Sequence, residues 1–205
     1  MSLYYIDINN PTAVPVSKPQ KAPLLSQPDA IVGCSHWTDQ QLADLAGYLV
    51  VTGFDPRVQT ATGGATDNED GTATPNAQDK AIEGLQAEGN RLLVSALEGR
   101  MAALVAANYG PHERETWRKQ EDDARAYTDD DQAATPYLDG IRLDGEAKAD
   151  QVATVMAKVT ALETATKALL KRKRELLASL DACEDAADIA TWLDDELPTG
   201  WPALS

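Results

Sequence analysis

The sequence predicts a mainly α protein with a small α+β unit near its N-terminus. Its long helices are expected to form a helical hairpin or a coiled coil. Three observations carry this. Apolar residues recur at three- and four-residue steps from about Asn76 to Asn108, and at heptad spacing from about Ala147 to Ala182, which is the period of a helix face. Between Trp37 and Pro56 a capped helix pattern leads into a short β-branched run. Finally, the apolar fraction is 43% but aromatics are only 5% and there is one Phe. So light a core suits thin helical packing or stability borrowed from other subunits.

Residues 1–35 hold five of the eleven prolines, at Pro11, Pro15, Pro19, Pro23 and Pro28. That spacing defeats helices and favours extended chain. Apart from a short strand at "LYYIDI", Leu3 to Ile8, the segment reads as a Pro-rich arm laid across a partner. A compact unit follows over residues 36–75. Thr38 is an N-cap with Asp39 in the first turn, Leu42 and Leu45 share a face with Ala46, Gly47 ends the helix, and "YLVV" is a strand. Thr60–Asp79 is rich in turn formers and reads as a linker. Within it "DNEDG" departs from a calcium loop, because Gln78 stands where the twelfth-position glutamate belongs.

The helical region is expected over residues 76–205. Asn108, Gly110 and Pro111 close its first helix, in which Gly84, Gly89 and Gly99 are weak points. A second helix starts at Pro111 and stops by Thr128. It carries Trp117, Gln120, Ala124 and Tyr127 on one stripe, with Arg118, Lys119, Asp122 and Arg125 opposite. Thr135 is pushed out of helix by Pro136, and a short apolar turn begins at Tyr137. In the last long helix, residues 147–182, Val155, Leu162, Leu169, Leu176 and Cys183 are seven apart, with Val152, Val159, Thr166, Lys173 and Leu180 as the partner series. This seam fits an intermolecular coiled coil or a hairpin with the Ile82–Val105 helix. "KRKRE" at Lys171–Glu175 reads as a solvated basic turn, and Trp192 and Trp201 close an acidic, proline-containing tail. The expected partner-binding residues are Trp117, Tyr127, Val155, Leu162, Leu169, Leu176, Trp192 and Trp201.

The net charge of -15 opposes binding to nucleic acid or to an anionic membrane. No apolar run reaches a membrane span, and the N-terminus lacks the basic flank and apolar core of a signal peptide. Two cysteines without a CxxC or a Cys/His cluster favour neither a disulfide framework nor zinc, and fit a reducing cytoplasm. Catalysis is not expected, nor is a metal or cofactor. "CSH" at Cys34–His36 places two reactive types close in sequence without an oxyanion site, and "TGGAT" lacks the spacing and lysine of a phosphate loop.

The stretch from Ala107 to Glu146 resembles a segment of bacteriophage and prophage tail proteins. The matching residues are Tyr109, Glu113, Thr116, Trp117, Gln120, Ala124, Ala126, Thr135, Pro136 and Leu138. "DQQLADLAGYLVVTGFDPRVQTA" resembles the N-terminal unit of the same proteins, so the likeness covers about Trp37–Ala187. It departs at "IRLDGEAKAD", where an Ala-Arg-Gly turn is usual. The resemblance implies a tail-associated structural protein at the tail fibre or baseplate, without enzyme activity. Alternatively, it implies a tail-fibre assembly chaperone absent from the mature virion. Its implied partners are tail-fibre or baseplate proteins and further copies of itself. Its implied location is the virion tail, after assembly in the host cytoplasm.

Overall fold

The computed structural model describes residues 4–203; Leu3 of the expected first strand and the last two residues of the tail lie outside them. About 52% of the chain is helical and a small sheet region occupies the N-terminal part. The chain divides into two compact units, Met1–Gln86 with Cys183–Thr191, and Ala87–Ala182 with Trp192–Ser205.

In the first unit, β1 (Tyr5–Asp7), β4 (Tyr48–Val51), β6 (Thr72–Asp79) and β5 (Gln59–Asp67) form one sheet in that order. β1 and β4 are antiparallel, β4 and β6 parallel, and β5 and β6 antiparallel. A second antiparallel pair joins β2 (Lys21–Leu24) to β3 (Gln27–Gly33). Helix α1 (Asp39–Ala46) has the N-cap expected at Thr38, which Gln41 completes as a reciprocal capping box, and ends at Gly47 with φ 71°. Its Leu42 and Ala46 pack with Tyr5, Ala22 and Cys34, while Ile6, Ala13, Leu49 and Ala73 form a separate cluster.

Residues 4–35 are therefore built into strands rather than an arm. Their prolines fall where a ladder tolerates them: Pro23 sits at the register shift of β2, and Pro28 in a strand with only one hydrogen-bonded neighbour. Ala22 and Cys34 are then buried against α1. The expected linker Thr60–Asp79 is likewise a hairpin. Asn68 closes its turn by donating to the Thr72 carbonyl, and Gly63 and Gly64, at φ 92° and 74°, absorb an irregularity in β5. The carboxylates of "DNEDG" are occupied locally. Asp67 accepts from the Glu69 amide, and Asp70 from the amide and hydroxyl of Thr72, which holds the Asp70 carboxyl below its usual pKa.

The remaining elements are helical. They are α2 (Ile82–Asn108), α3 (Pro111–Asp129), α4 (Pro136–Ile141), α5 (Lys148–Asp181), α6 (Ala186–Thr191) and a π-helical turn at Trp192–Glu196. α2 starts six residues later than expected, because Asn76–Asp79 belong to β6, with Ala77, Gln78 and Asp79 paired to β5. Its glycines divide by environment. A Cβ at Gly89 would lie 3.0 Å from both methyls of Leu180 and 3.5 Å from the Trp192 ring, whereas at Gly99 it would meet nothing within 4 Å. Gly89 thus permits close approach of α2 to Leu180 and Trp192; Gly99 serves no contact within the fold. We predict that Gly89→Leu destabilises the protein by roughly 1–3 kcal/mol through overpacking. Gly99→Ala should stabilise it by up to about 1 kcal/mol. Urea titrations of the two variants check both signs.

Candidate partner-binding surface

The segment from Tyr109 to Leu138 folds into a node on α5. Trp117 lies against the Tyr109 ring, with centroids 4.4 Å apart. Together with Tyr127 and Met156 it flanks a buried cluster of Ala124, Leu138, Val152, Val155 and Val159. α4 is oriented by polar ties. Pro136, its first residue, has no amide to satisfy, and the next two amides, of Tyr137 and Leu138, donate to Asp123 Oδ2 at 2.8 and 3.1 Å. The buried Thr135 hydroxyl donates to Asp139, and Gln151 donates to the Leu138 carbonyl at 3.2 Å.

Charged pairs frame the node. Lys158 binds Glu113 at 2.8 Å, Arg125 binds both Glu121 and Glu163 at 2.8 Å, and Lys148 binds Asp139 at 3.1 Å. The Lys158 hydrogen bond holds the Glu113 carboxyl below its usual pKa, Lys148 does the same for Asp139, and Arg125 for Glu163. Lys148 and Lys119 also lie over the rings of Tyr127 and Tyr137 at 5.6 and 5.8 Å.

The seam of α5 is read correctly as a face but has a different occupant. Val155, Leu169 and Leu176 are buried, as are Val152, Val159 and Leu180, and Leu162 is half-buried. Val152, Val155 and Val159 are covered by α3 and α4 of the same chain. Trp192 too is a core residue, donating from Nε1 to the Leu176 carbonyl at 3.1 Å. In this fold, Val155, Leu169, Leu176 and Trp192 therefore do not form a partner surface. Trp117, Tyr127 and Trp201 are half-buried, and the first two spend that burial on α5. The basic turn is also not wholly solvated. Arg172 is half-buried and donates to the carbonyls of Glu196 and Thr199, both at 3.1 Å, holding the C-terminal segment. Four like residues in a row gave no sign of which one turns inward, and Asp123 stood out from neighbouring acids no better.

What remains open is a groove of about 480 Å³ whose lining includes Ala96, Gly99, Arg100, Leu193, Leu197 and Trp201. The Trp201 Nε1 donates to the Leu197 carbonyl at 2.7 Å, and the Arg100 guanidinium lies 5.1 Å from the Trp201 ring. In the N-terminal unit Val14, Val16, Leu25, Ile31 and Leu45 are exposed. The Cys34 thiol is buried, donates to the Pro19 carbonyl at 3.2 Å, and is pushed above its usual pKa by burial, which disfavours the thiolate a nucleophile needs. Among the described residues no helix is long and apolar enough to cross a membrane. Comparison with family models, curated proteins and solved structures finds no match.

Trp117 is half-buried, so Trp117→Ala should cost less than the ~3–5 kcal/mol of a fully buried tryptophan, about 2–3 kcal/mol. Equilibrium denaturation measures this. The depressed carboxyls imply an acid dependence. A group whose folded pKa is lowered stabilises the fold above its unfolded pKa and loses that contribution as pH falls through the folded value. Stability should therefore fall as pH drops below the Glu113 reference value of 4.5. Glu113→Gln should lower stability at neutral pH and flatten that acid limb. Chemical denaturation repeated across the pH range tests it.

Proposed function

We propose that this protein is a bacteriophage tail-associated structural protein, placed at the tail fibre or baseplate and acting through protein–protein contacts. The observation that carries the reading is where the residues of the resemblance fall. The Tyr109 and Trp117 rings pack together, Glu113 pairs with Lys158, and Ala124, Thr135 and Leu138 are buried at the same node. Their spacing is thus tied to a single packing arrangement. A likeness spread over those positions is the kind that a common framework imposes. In this reading the heptads of α5 pack within the chain, against α3 and α4 at Val152, Val155 and Val159 and near Gly89 at Leu180, rather than in a coiled coil between copies.

A tail-fibre assembly chaperone absent from the virion is the second reading. The exposed apolar side chains Val14, Val16, Leu25, Ile31 and Leu45 favour it, since a holding surface for an unassembled client is apolar. The partners in either case are tail-fibre or baseplate proteins, met in the host cytoplasm, and the structural role ends in the virion tail.

Peptide mass mapping of purified virions separates the two. The structural role predicts this chain at a fixed ratio to the other tail proteins. Absence from virions, together with loss of soluble fibre when the chain is omitted from co-expression, assigns the chaperone. Absence with no effect on the fibre removes both readings.

A further inference from the structure

We propose that the groove beside Arg100 receives the Ile141–Asp144 turn of a second copy of this chain, with Leu143 entering the apolar part and Asp144 meeting the guanidinium.

The lining of the groove is largely apolar, with Ala96, Leu193, Leu197 and the Trp201 ring, and it includes one cation, Arg100, whose guanidinium lies 5.1 Å from that ring. Among the described residues Arg100 has no carboxylate partner; its recorded contact is with the Trp201 ring. The indole N–H is already satisfied by the Leu197 carbonyl, so the ring adds apolar surface. Gly99 keeps the space open. It stands inside a 27-residue helix, where a glycine costs about 1 kcal/mol relative to alanine, and apart from the adjoining helix nothing lies within 4 Å of where a Cβ would be. The chain's own packing leaves that space free, and Gly99 lines the groove.

The complement is on the same sequence. Leu143 is 74% exposed, the highest value among the exposed large apolar residues, and Ile141 is 47% exposed. The turn that presents them is braced. The Leu143 amide donates to the Glu146 carboxylate at 3.1 Å, the Glu146 amide donates to the Leu143 carbonyl at 3.0 Å, and Gly145 takes φ 84°. A braced turn loses little freedom on docking. Asp144 follows Leu143 directly and, among the described residues, has no cation or amide partner. An apolar side chain with an adjacent carboxylate is what a groove with apolar walls and one cation in its lining selects.

Charge favours this occupant over random contact. Copies carrying a net charge of -15 repel at long range, so association needs a placed opposite pair, and Arg100 with Asp144 provides one. Groove and turn are different patches, so the contact is head to tail and either closes into a ring or extends. It is small, so it is expected to depend on concentration and salt. It does not depend on a role in a phage tail.

The test is sedimentation velocity on the full chain across a concentration series at low salt, with circular dichroism as the folding control. The wild type should gain mass with concentration. Arg100→Glu and Asp144→Arg should each weaken association by roughly tenfold. An equimolar mixture of the two variants should restore it, because each supplies the complement the other has lost. Leu143→Ser, on an exposed turn, should weaken association without unfolding the chain. A wild type that stays monomeric throughout overturns the proposal, even if the groove accepts a foreign acidic peptide. Reversals that leave the mass unchanged overturn it, as does a mixture that fails to associate.

Discussion

The carboxylate of Asp123 is the tie on which the helical unit depends. α4 has six residues, far too few to hold a helix alone. Its N-terminal amides must find an acceptor, and Thr135, the residue before it, makes no side-chain cap; its hydroxyl donates to Asp139 instead. Asp123 reaches across from α3 and takes both. An unpaired buried donor costs about 1–3 kcal/mol, so one side chain decides whether α4 can be built at that place. Once α4 is set, Leu138 is fully buried and its carbonyl receives Gln151 from α5. Three helices are thereby fixed together through a single carboxylate and the Thr-Pro step that aims at it.

Packing around that tie is thin, and small side chains make it work. Ala124 is fully buried among three valines of α5 and Leu138. Gly89 plays the same part for Leu180 and Trp192. Where side chains are short, helices must come close to exclude water, and the area each contact removes is modest. The ion pairs at the edges do not make up the difference, since exposed pairs contribute about 0–1 kcal/mol each. Their value lies in position: Glu113 with Lys158, and Arg125 with Glu163, join α3 to α5 at two places and oppose sliding. The N-terminal unit solves the problem differently, burying larger side chains: Tyr5 of β1 with Leu42 of α1, and Ile6 of β1 with Leu49 of β4.

Those two solutions explain what was legible in the sequence. α1 and β4 could be placed because capping is local: Thr38, Gln41 and Gly47 act within one helix. α5 could be placed because its period runs over 34 residues. The hairpin of β5 and β6 could not, because its strands alternate alanine, threonine and glycine. Burial of Ala73 and Pro75 marks an inward face with almost no contrast in side-chain size. Residues 1–35 failed for a related reason. Five prolines exclude a helix, but edge strands and bulges tolerate them as well as an arm does, and only the burial of Tyr5, Ala22 and Cys34 decides. At the candidate surface Trp117 was visible by size and spacing. Asp123 and Arg172 were not, because each is one of several like charges and its role depends on a partner 14 to 27 residues away.

The α5 seam shows why a heptad pattern does not choose its own partner. A 3.5-residue period states only that one face must be covered. The cover offered in cis is joined by short connections, Asp130 to Thr135 before α4 and Arg142 to Ala147 after it. Short linkers hold a tethered helix at an effective concentration on the order of millimolar. A second copy would have to exceed that while also overcoming like-charge repulsion, so α3 and α4 win the N-terminal half of the face. The polar interruptions at Thr166 and Lys173, both half-buried, lie beyond Val152, Val155 and Val159, where α3 and α4 pack. With the seam consumed internally, association has to use side chains the fold leaves outside. In the helical unit the largest of these stand at Ile141 and Leu143. Ile141 closes α4 and Leu143 follows it, on the turn that leads into α5.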